Sequence, residues 1–406
     1  MSARDPEPHD AEDAKALRLW EHDAAGGIVL TAALIAAVAW ATLAQGSYLA
    51  FVTHPLSIWS VPHSVVHDVA SLVTNLLMVV FFAAIGLEIG RERAEGSLTS
   101  MTTASLPIIA ALGGMAAAAL VYVATVGALG DHGALAGWGI PMATDVAFTL
   151  GVVSLVGSRV SVELRVFLLA LAVADDVASV VVLAITGHSG AVSGPWVTAG
   201  SILGLVIIAA GVVLARRSDA GWWAFVVLTV ALWWCLAHLG VEATLAGVVI
   251  GVTVPAGAHA KRNVGVQLEQ RTVPLSTYLV LPLFALVAGG VDLSLSPWRH
   301  GTSVLFGVLA ARTLGKLVGI VGAAALAVRF GLGSLPRNTS WRQMVGAALL
   351  CGIGFTVPLL FATRAFAHAP AMLAETKVAL LIASLVGAIL GLGVLLLRST
   401  GAADKR

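Results

Sequence analysis

Two adjacent carboxylates, Asp175 and Asp176, interrupt an apolar run from Val166 to Ile185. A carboxylate near the centre of a bilayer costs several kcal/mol unless a cation, a proton or a partner charge compensates it, so a pair in succession points to a cation or proton site rather than to packing. Neighbouring residues on a helix point about 100° apart, which lets one carboxylate face an ion cavity while the other faces a partner. Two further charges, Asp145 and Lys316, lie near the middle of their own apolar segments and so at the same depth. A lysine at mid-helix is too deep to snorkel, and Lys316 is therefore expected to pair with one of the adjacent aspartates. Burial of a carboxylate favours its protonated form, whereas a hard cation prefers the same oxygens once they are ionised. A single site of this kind alternates between proton and cation, which is coupling by competition.

The elements that must position these residues are membrane helices. The chain is 58% hydrophobic and 11% charged, with a mean hydropathy of +0.94, a surface that only lipid can cover. The net charge of +1 gives no indication of a nucleic-acid partner. Residues 1–23 are polar and read as a cytoplasmic N-terminal extension without a cleavable signal; 24–397 form the transmembrane domain, and 398–406 a cytoplasmic tail. Apolar segments of about 20 residues fall at 24–44, 69–89, 105–127, 137–157, 163–187, 195–215, 221–238, 240–255, 274–291, 301–328, 342–363 and 374–397. With both termini cytoplasmic, Arg91, Arg159, Arg216, Arg217, Lys261, Arg262, Arg271, Arg329, Arg337 and Arg342 all face inward, and only Arg299 and Arg364 outward. Arg312 and Lys377 lie close enough to segment ends to snorkel. The fourth and eleventh segments are interrupted by Gly139-Ile-Pro141-Met-Ala-Thr144-Asp145 and Gly352-Ile-Gly354-Phe-Thr356-Val-Pro358. Both read as helices broken at mid-membrane, running in opposite directions as inverted three-helix repeats require. The fold class is therefore an all-α polytopic membrane protein with about twelve transmembrane helices and two broken, crossed helices. No nucleotide-binding motif is present, so the proton gradient is the expected energy source.

The stretches Gly86-Leu-Glu88-Ile-Gly-Arg91-Glu92, Pro141-Met-Ala-Thr144-Asp145, Phe167-Leu-Leu-Ala-Leu-Ala-Val-Ala-Asp175-Asp176, Ala243-Thr-Leu-Ala-Gly247, Leu281-Pro-Leu-Phe-Ala285, Leu314-Gly-Lys316 and Leu350-Cys-Gly-Ile-Gly-Phe-Thr356 occur in order. In this set the chain resembles the NhaA family of sodium/proton antiporters. The resemblance implies exchange of cytoplasmic sodium or lithium for external protons in the bacterial cytoplasmic membrane, without a cofactor. It assigns Asp176 as the essential ion-binding carboxylate and Asp175 as the neighbour paired with Lys316. Asp145, beside Thr144, would offset the positive ends of the crossed half-helices and Lys316 the negative ends. Glu88 and Arg91 would belong to a pH-responsive cytoplasmic mouth, and a hairpin within 45–68 would support a homodimer.

The chain also departs from the family pattern: Glu242 replaces a histidine, Gly90 a lysine, Thr74-Asn75 an Asn-Asp pair, Ala288 an asparagine and Pro358 a serine. Glu242 is expected at an outer turn, exposed, as a fixed negative charge near the mouth. Two rival readings keep the aspartates: a non-transporting ion or pH sensor, and an intramembrane aspartyl protease, which lacks its Gly-x-Gly-Asp context here.

Overall fold

The structure, a computed structural model, describes residues 8–57, 61, 65–94, 101–154, 160–186, 195–215, 221–239, 242–255, 264–293 and 303–397. Among the described residues the chain is helical apart from turns, breaks and one antiparallel bridge between Pro55 and Asp68. Arg159, Arg216, Arg217, Lys261, Arg262 and Arg299, on which part of the inside–outside assignment rests, lie outside them.

Helix α1 (Pro8–Leu43) is followed by the short α2 (Gln45–Val52). α3 (Val69–Ser71), a π-helical stretch at Leu72–Leu77 and α4 (Met78–Ala94) form one rod, opened by an Asp68/Ser71 capping box that satisfies its first backbone donors. α5 (Met101–Ala128) leads to a 3-10 turn at Ala134–Gly139, a non-helical break, and α6 (Val146–Ser154). α7 (Val162–Thr186), α8 (Pro195–Ala215), α9 (Trp222–His238) and α10 (Leu245–Thr253) come next. α11 (Val264–Leu275), a π stretch at Ser276–Val280 and α12 (Leu281–Ala288) make a second composite rod, with Pro274, which lacks a backbone donor, just before the wide turn. α13 (Ser303–Ala310), a π stretch at Ala311–Gly315 and α14 (Lys316–Arg329) make a third. α15 (Trp341–Leu350), a second break, α16 (Thr356–Ala365) and α17 (Pro370–Leu396) complete the chain.

Seven of these rods are long and apolar enough to cross a membrane: Ala25–Leu43, Val69–Arg91, Ser105–Ala128, Glu163–Leu183, Val264–Ala288, Ser303–Arg329 and Pro370–Leu396. The other expected segments are filled by α8, α9, the short α10 and the two broken elements. Leu120, Leu205, Val227, Val318 and Leu385 are exposed, the outward apolar surface that lipid would cover. The expected boundaries shift in two places. The first span is the apolar half of a helix that begins at Pro8, within the polar extension, and the ninth is preceded by a helical arm from Val264. Of the hairpin that the resemblance implies within 45–68, the described residues hold α2 and one antiparallel bridge, Pro55–Asp68, and 58–60 and 62–64 lie outside them.

Lipid tails are as apolar as leucine, so helices in a bilayer associate by close van der Waals packing, which small residues permit. Gly247 and Gly251 of α10 lie against the backbone of α4, where a side chain on either would strike main-chain atoms at Val79, Ala83 or Gly86. Gly113 of α5 and Gly319 of α14 meet in the same manner. These contacts help to assemble two buried clusters, one of α4 with α8 to α11 and one of α5, α6, α7, α14, α15 and α17. A third cluster draws on α4 and α5 and contains Ile140, Ala143 and Phe355 from the two breaks, whose Cys351 and Ile353 join the cluster of α5, α7 and α14, so the broken elements are buried among several bundles of helices.

Candidate ion-binding site

The two breaks touch each other. The backbone N–H of Asp145 donates to the carbonyl of Ile353 at 3.1 Å, and the Thr144 hydroxyl donates to the carbonyl of Cys351 at 3.0 Å. Thr149, one turn into α6, reaches the Leu350 carbonyl at 3.3 Å. In return Asp145 Oδ2 accepts from both the backbone N–H of Thr356, at 3.1 Å, and its hydroxyl, at 2.8 Å. A carboxylate thus stands at the N-terminus of α16, where unpaired backbone donors and the helix dipole favour negative charge. Both Asp145 and Thr144 are buried.

α7 brings the adjacent aspartates to this crossing. Lys316 Nζ donates to Asp175 Oδ2 at 2.6 Å, with both side chains fully buried. Asp176 is 8% exposed, and Asp145, Lys316 and Asp175 act on it electrostatically. Three buried oxygens of α7 have no hydrogen-bond partner among the described residues: Asp175 Oδ1, Asp176 Oδ1 and Ser179 Oγ. Ser179 follows the pair by three and four residues, the spacing that puts side chains on one helical face. An isolated serine in an apolar helix carries no signal in sequence, so Ser179 becomes conspicuous only through its position beside the aspartates.

Arg312 corrects the sequence reading. Rather than snorkelling, it is fully buried; its Nε donates to the carbonyl of Gly352 at 2.8 Å and its Nη1 to that of Ala143 at 3.1 Å. Arg312 thus donates to one carbonyl of each break, while the ammonium of Lys316 is hydrogen-bonded to Asp175. Lys377 does not snorkel either, but donates to the carbonyl of Gly290 at 2.9 Å, beyond the end of α12.

Of the remaining expected site residues, Glu88 acts electrostatically on Asp176, whereas Arg91 and Glu242 are engaged by other partners. Glu88 and Arg91 form an ion pair at 4.0 Å, and Arg91 reaches Glu269 of α11 at 3.3 Å. Glu269 falls in the helical arm ahead of the ninth apolar segment, where a charge carries no signal in sequence. Glu242 is not the exposed turn residue expected: its side chain is 2% exposed, its Oε2 lies 2.7 Å from Arg364 Nη2, and its Oε1 accepts from the Thr244 hydroxyl at 2.7 Å. Arg364, at the end of α16, also donates to Asn75 Oδ1 at 2.9 Å. Two departures from the family pattern, Glu242 and Asn75, thus meet on one arginine, which ties the broken element to the α4–α10 bundle. Arg364 is 38% exposed and can turn to water when its partner is lost, whereas Glu242 cannot. Arg364→Leu is therefore expected to lower the melting temperature in detergent clearly more than Glu242→Gln, with a loss of about 3 kcal/mol for the stranded buried carboxylate. Equal melting of the two variants would contradict the asymmetry.

Broken helices crossed at the centre of a multi-helix membrane fold, with paired and unpaired carboxylates beside the crossing, define a secondary ion transporter. The sequence profile described as Na+/H+ antiporter 1 matches residues 18–395. Among similar proteins, the Na(+)/H(+) antiporter NhaA of Mesorhizobium japonicum is 41% identical over 399 residues, spanning 95% of each chain. The protein of the same name from Sodalis glossinidius is 38% identical over 387 residues, spanning 94% of each, and the Na(+)/H(+) antiporter NhaA 2 of Pseudomonas savastanoi pv. phaseolicola is 39% identical over 390, spanning 95% of each. The chain belongs to the NhaA family of sodium/proton antiporters, and it is a multi-pass membrane transporter that exchanges sodium for protons rather than an enzyme. Neither the sensor nor the protease reading finds support in these relatives.

Proposed function

We propose that Asp176 and Asp175 are the oxygens for which sodium and protons compete, with Ser179 as a third ligand from the same face of α7. What carries this reading is the set of unpartnered buried oxygens beside the crossing of two broken elements. In the proton-loaded state the carboxylates are neutral and a cation has no electrostatic reason to enter. When they ionise, sodium finds hard oxygen ligands in a site too dry to leave the charge unpaired. Lys316 holds Asp175 at 2.6 Å, so a proton arriving on Asp175 releases the lysine. Asp145, bonded to Thr356, holds the crossing together rather than carrying the ion.

Alternating access follows from the two flanking bundles. Movement of the α4–α10 bundle against the broken elements would open the site to one side and then to the other. On the outer side that movement must part Glu242 from Arg364; on the inner side Glu88, Arg91 and Glu269 surround the mouth and feel pH and ions there. In this orientation both termini are cytoplasmic, the membrane is the bacterial cytoplasmic one, and α2 with the Pro55–Asp68 bridge is the edge through which two copies would associate. Lithium, smaller and equally hard, fits the same oxygens.

The ligand assignment is tested with Ser179→Ala. Loss of one neutral oxygen should raise the apparent KM for sodium about fivefold, equivalent to one net hydrogen-bond-sized contribution of about 1 kcal/mol. Maximal turnover in proteoliposomes should stay within twofold of wild type. An unchanged KM would remove Ser179 from the ligand set.

A further inference from the structure

We infer that Arg312 is a positioning residue of the transport site, a fixed cation that clamps both broken elements by their carbonyls and thereby reserves Lys316 for Asp175. The inference rests on the proposed ion site and adds a part that the family resemblance assigned to Lys316. Arg312 lies in the π-helical stretch Ala311–Gly315, immediately before α14 begins at Lys316. π-helical turns often mark functional sites, and here the wide turn carries one cation and precedes another.

The geometry suits a guanidinium and no other side chain. Ala143 belongs to the first break, next to Thr144 and Asp145, and Gly352 to the second; one planar fork donates Nε to the latter and Nη1 to the former. An ammonium is a single point of charge and cannot hold two carbonyls at that fixed angle, nor is arginine deprotonated in the working pH range. The seat is cut to fit. A side chain at Gly354 would collide with Arg312 Nη2, and one at Gly352 would press on the Arg312 backbone carbonyl. Nη2 itself is buried without a hydrogen-bond partner among the described residues, so the charge is not fully spent on the carbonyls. Asp175 and Asp145 are the acids that act on it most strongly.

Two consequences follow for transport. The carbonyls of Ala143 and Gly352 each already accept from a cationic guanidinium, which makes them poorer ligands for sodium than the unpartnered side-chain oxygens of α7. The charge of Arg312 also stays constant through the cycle, so that protons gained and lost are confined to Asp175, Asp176 and Lys316. The other titratable groups around this centre are Asp145 from the first break, Cys351 from the second and Glu88 from α4. Removal of a fixed positive charge from such a group favours protonated carboxylates.

The experiment compares Arg312→Leu, Arg312→Lys and Asp176→Asn in proteoliposomes, with sodium-driven proton movement followed between pH 6 and 9. Arg312→Leu is expected to cut turnover at least tenfold and to move the pH profile of the residual exchange to the alkaline side by about one unit. Arg312→Lys keeps the charge and one carbonyl bond, and should lose turnover about threefold to tenfold with the profile in place. A purely structural arginine would lower the melting temperature and leave the pH profile of Arg312→Leu where the wild type has it; that result overturns the inference. If Arg312→Leu fails to fold, Arg312→Lys decides, because wild-type turnover in that variant removes the need for a two-carbonyl clamp. Asp176→Asn separates the two levels of the argument: retained exchange there sinks the ion site itself, whereas its loss together with an unshifted Arg312→Leu profile sinks only the role of Arg312.

Discussion

Asp176→Asn should abolish sodium-driven proton movement while leaving a folded protein of wild-type melting temperature or above. The amide keeps the shape of the carboxylate but neither ionises nor carries a proton, so both sides of the competition vanish together. Because Asp176 Oδ1 has no hydrogen-bond partner among the described residues, the substitution breaks no contact of that oxygen. Taking a charge out of a buried site also relieves its desolvation cost, which is the reason for expecting unchanged or higher stability. The expected loss of exchange is at least a hundredfold in reconstituted vesicles. Residual exchange within tenfold of wild type would show that sodium uses other oxygens, and a variant that no longer folds would give Asp176 a structural part that its surroundings do not suggest.

Lys316→Ala should be the most destabilising of the substitutions at the crossing. It leaves Asp175, fully buried, without its cation, and breaking a buried pair from one side costs about 3–5 kcal/mol. The sign of the pH dependence follows. An uncompensated Asp175 escapes its penalty by taking a proton, so the deficit against wild type should shrink as pH falls and grow as it rises. Lys316→Ala combined with Asp175→Asn removes both charges and should recover most of the lost stability, although not exchange at the wild-type rate. These changes are read as melting temperatures in detergent between pH 5 and 9. If Lys316→Ala melts with the wild type at alkaline pH, or if Asp175→Asn brings no recovery, the pair contributes little to the fold.

The features of this molecule that were legible in sequence are those a bilayer makes conspicuous. Charges at mid-helix are rare enough that Asp175, Asp176, Asp145 and Lys316 stand out, and their depth alone predicts that they meet. Paired interruptions by glycine and proline announced the broken elements for the same reason. What escaped depends on tertiary placement. Arg312 lies toward the start of its apolar segment, and no local pattern records that two broken elements bring their carbonyls to it. Glu242 falls at a turn between two apolar segments, and its partner Arg364 is distant in sequence at another outer turn, so nothing local joins the two. Ser179 and Glu269 carry no unusual composition, and each acquires meaning only from the group it faces.

Competition of sodium and protons for one set of buried carboxylates is the core of this account, and proton release on sodium binding measures it directly. Purified protein in weakly buffered detergent at pH 8, mixed with sodium chloride against a choline chloride control, should acidify the medium. The release should saturate with the sodium dependence of transport, diminish at higher pH as the carboxylates lose their protons in advance, and disappear in Asp176→Asn. Saturable sodium binding without proton release, or release that persists in Asp176→Asn, would contradict competition at this site.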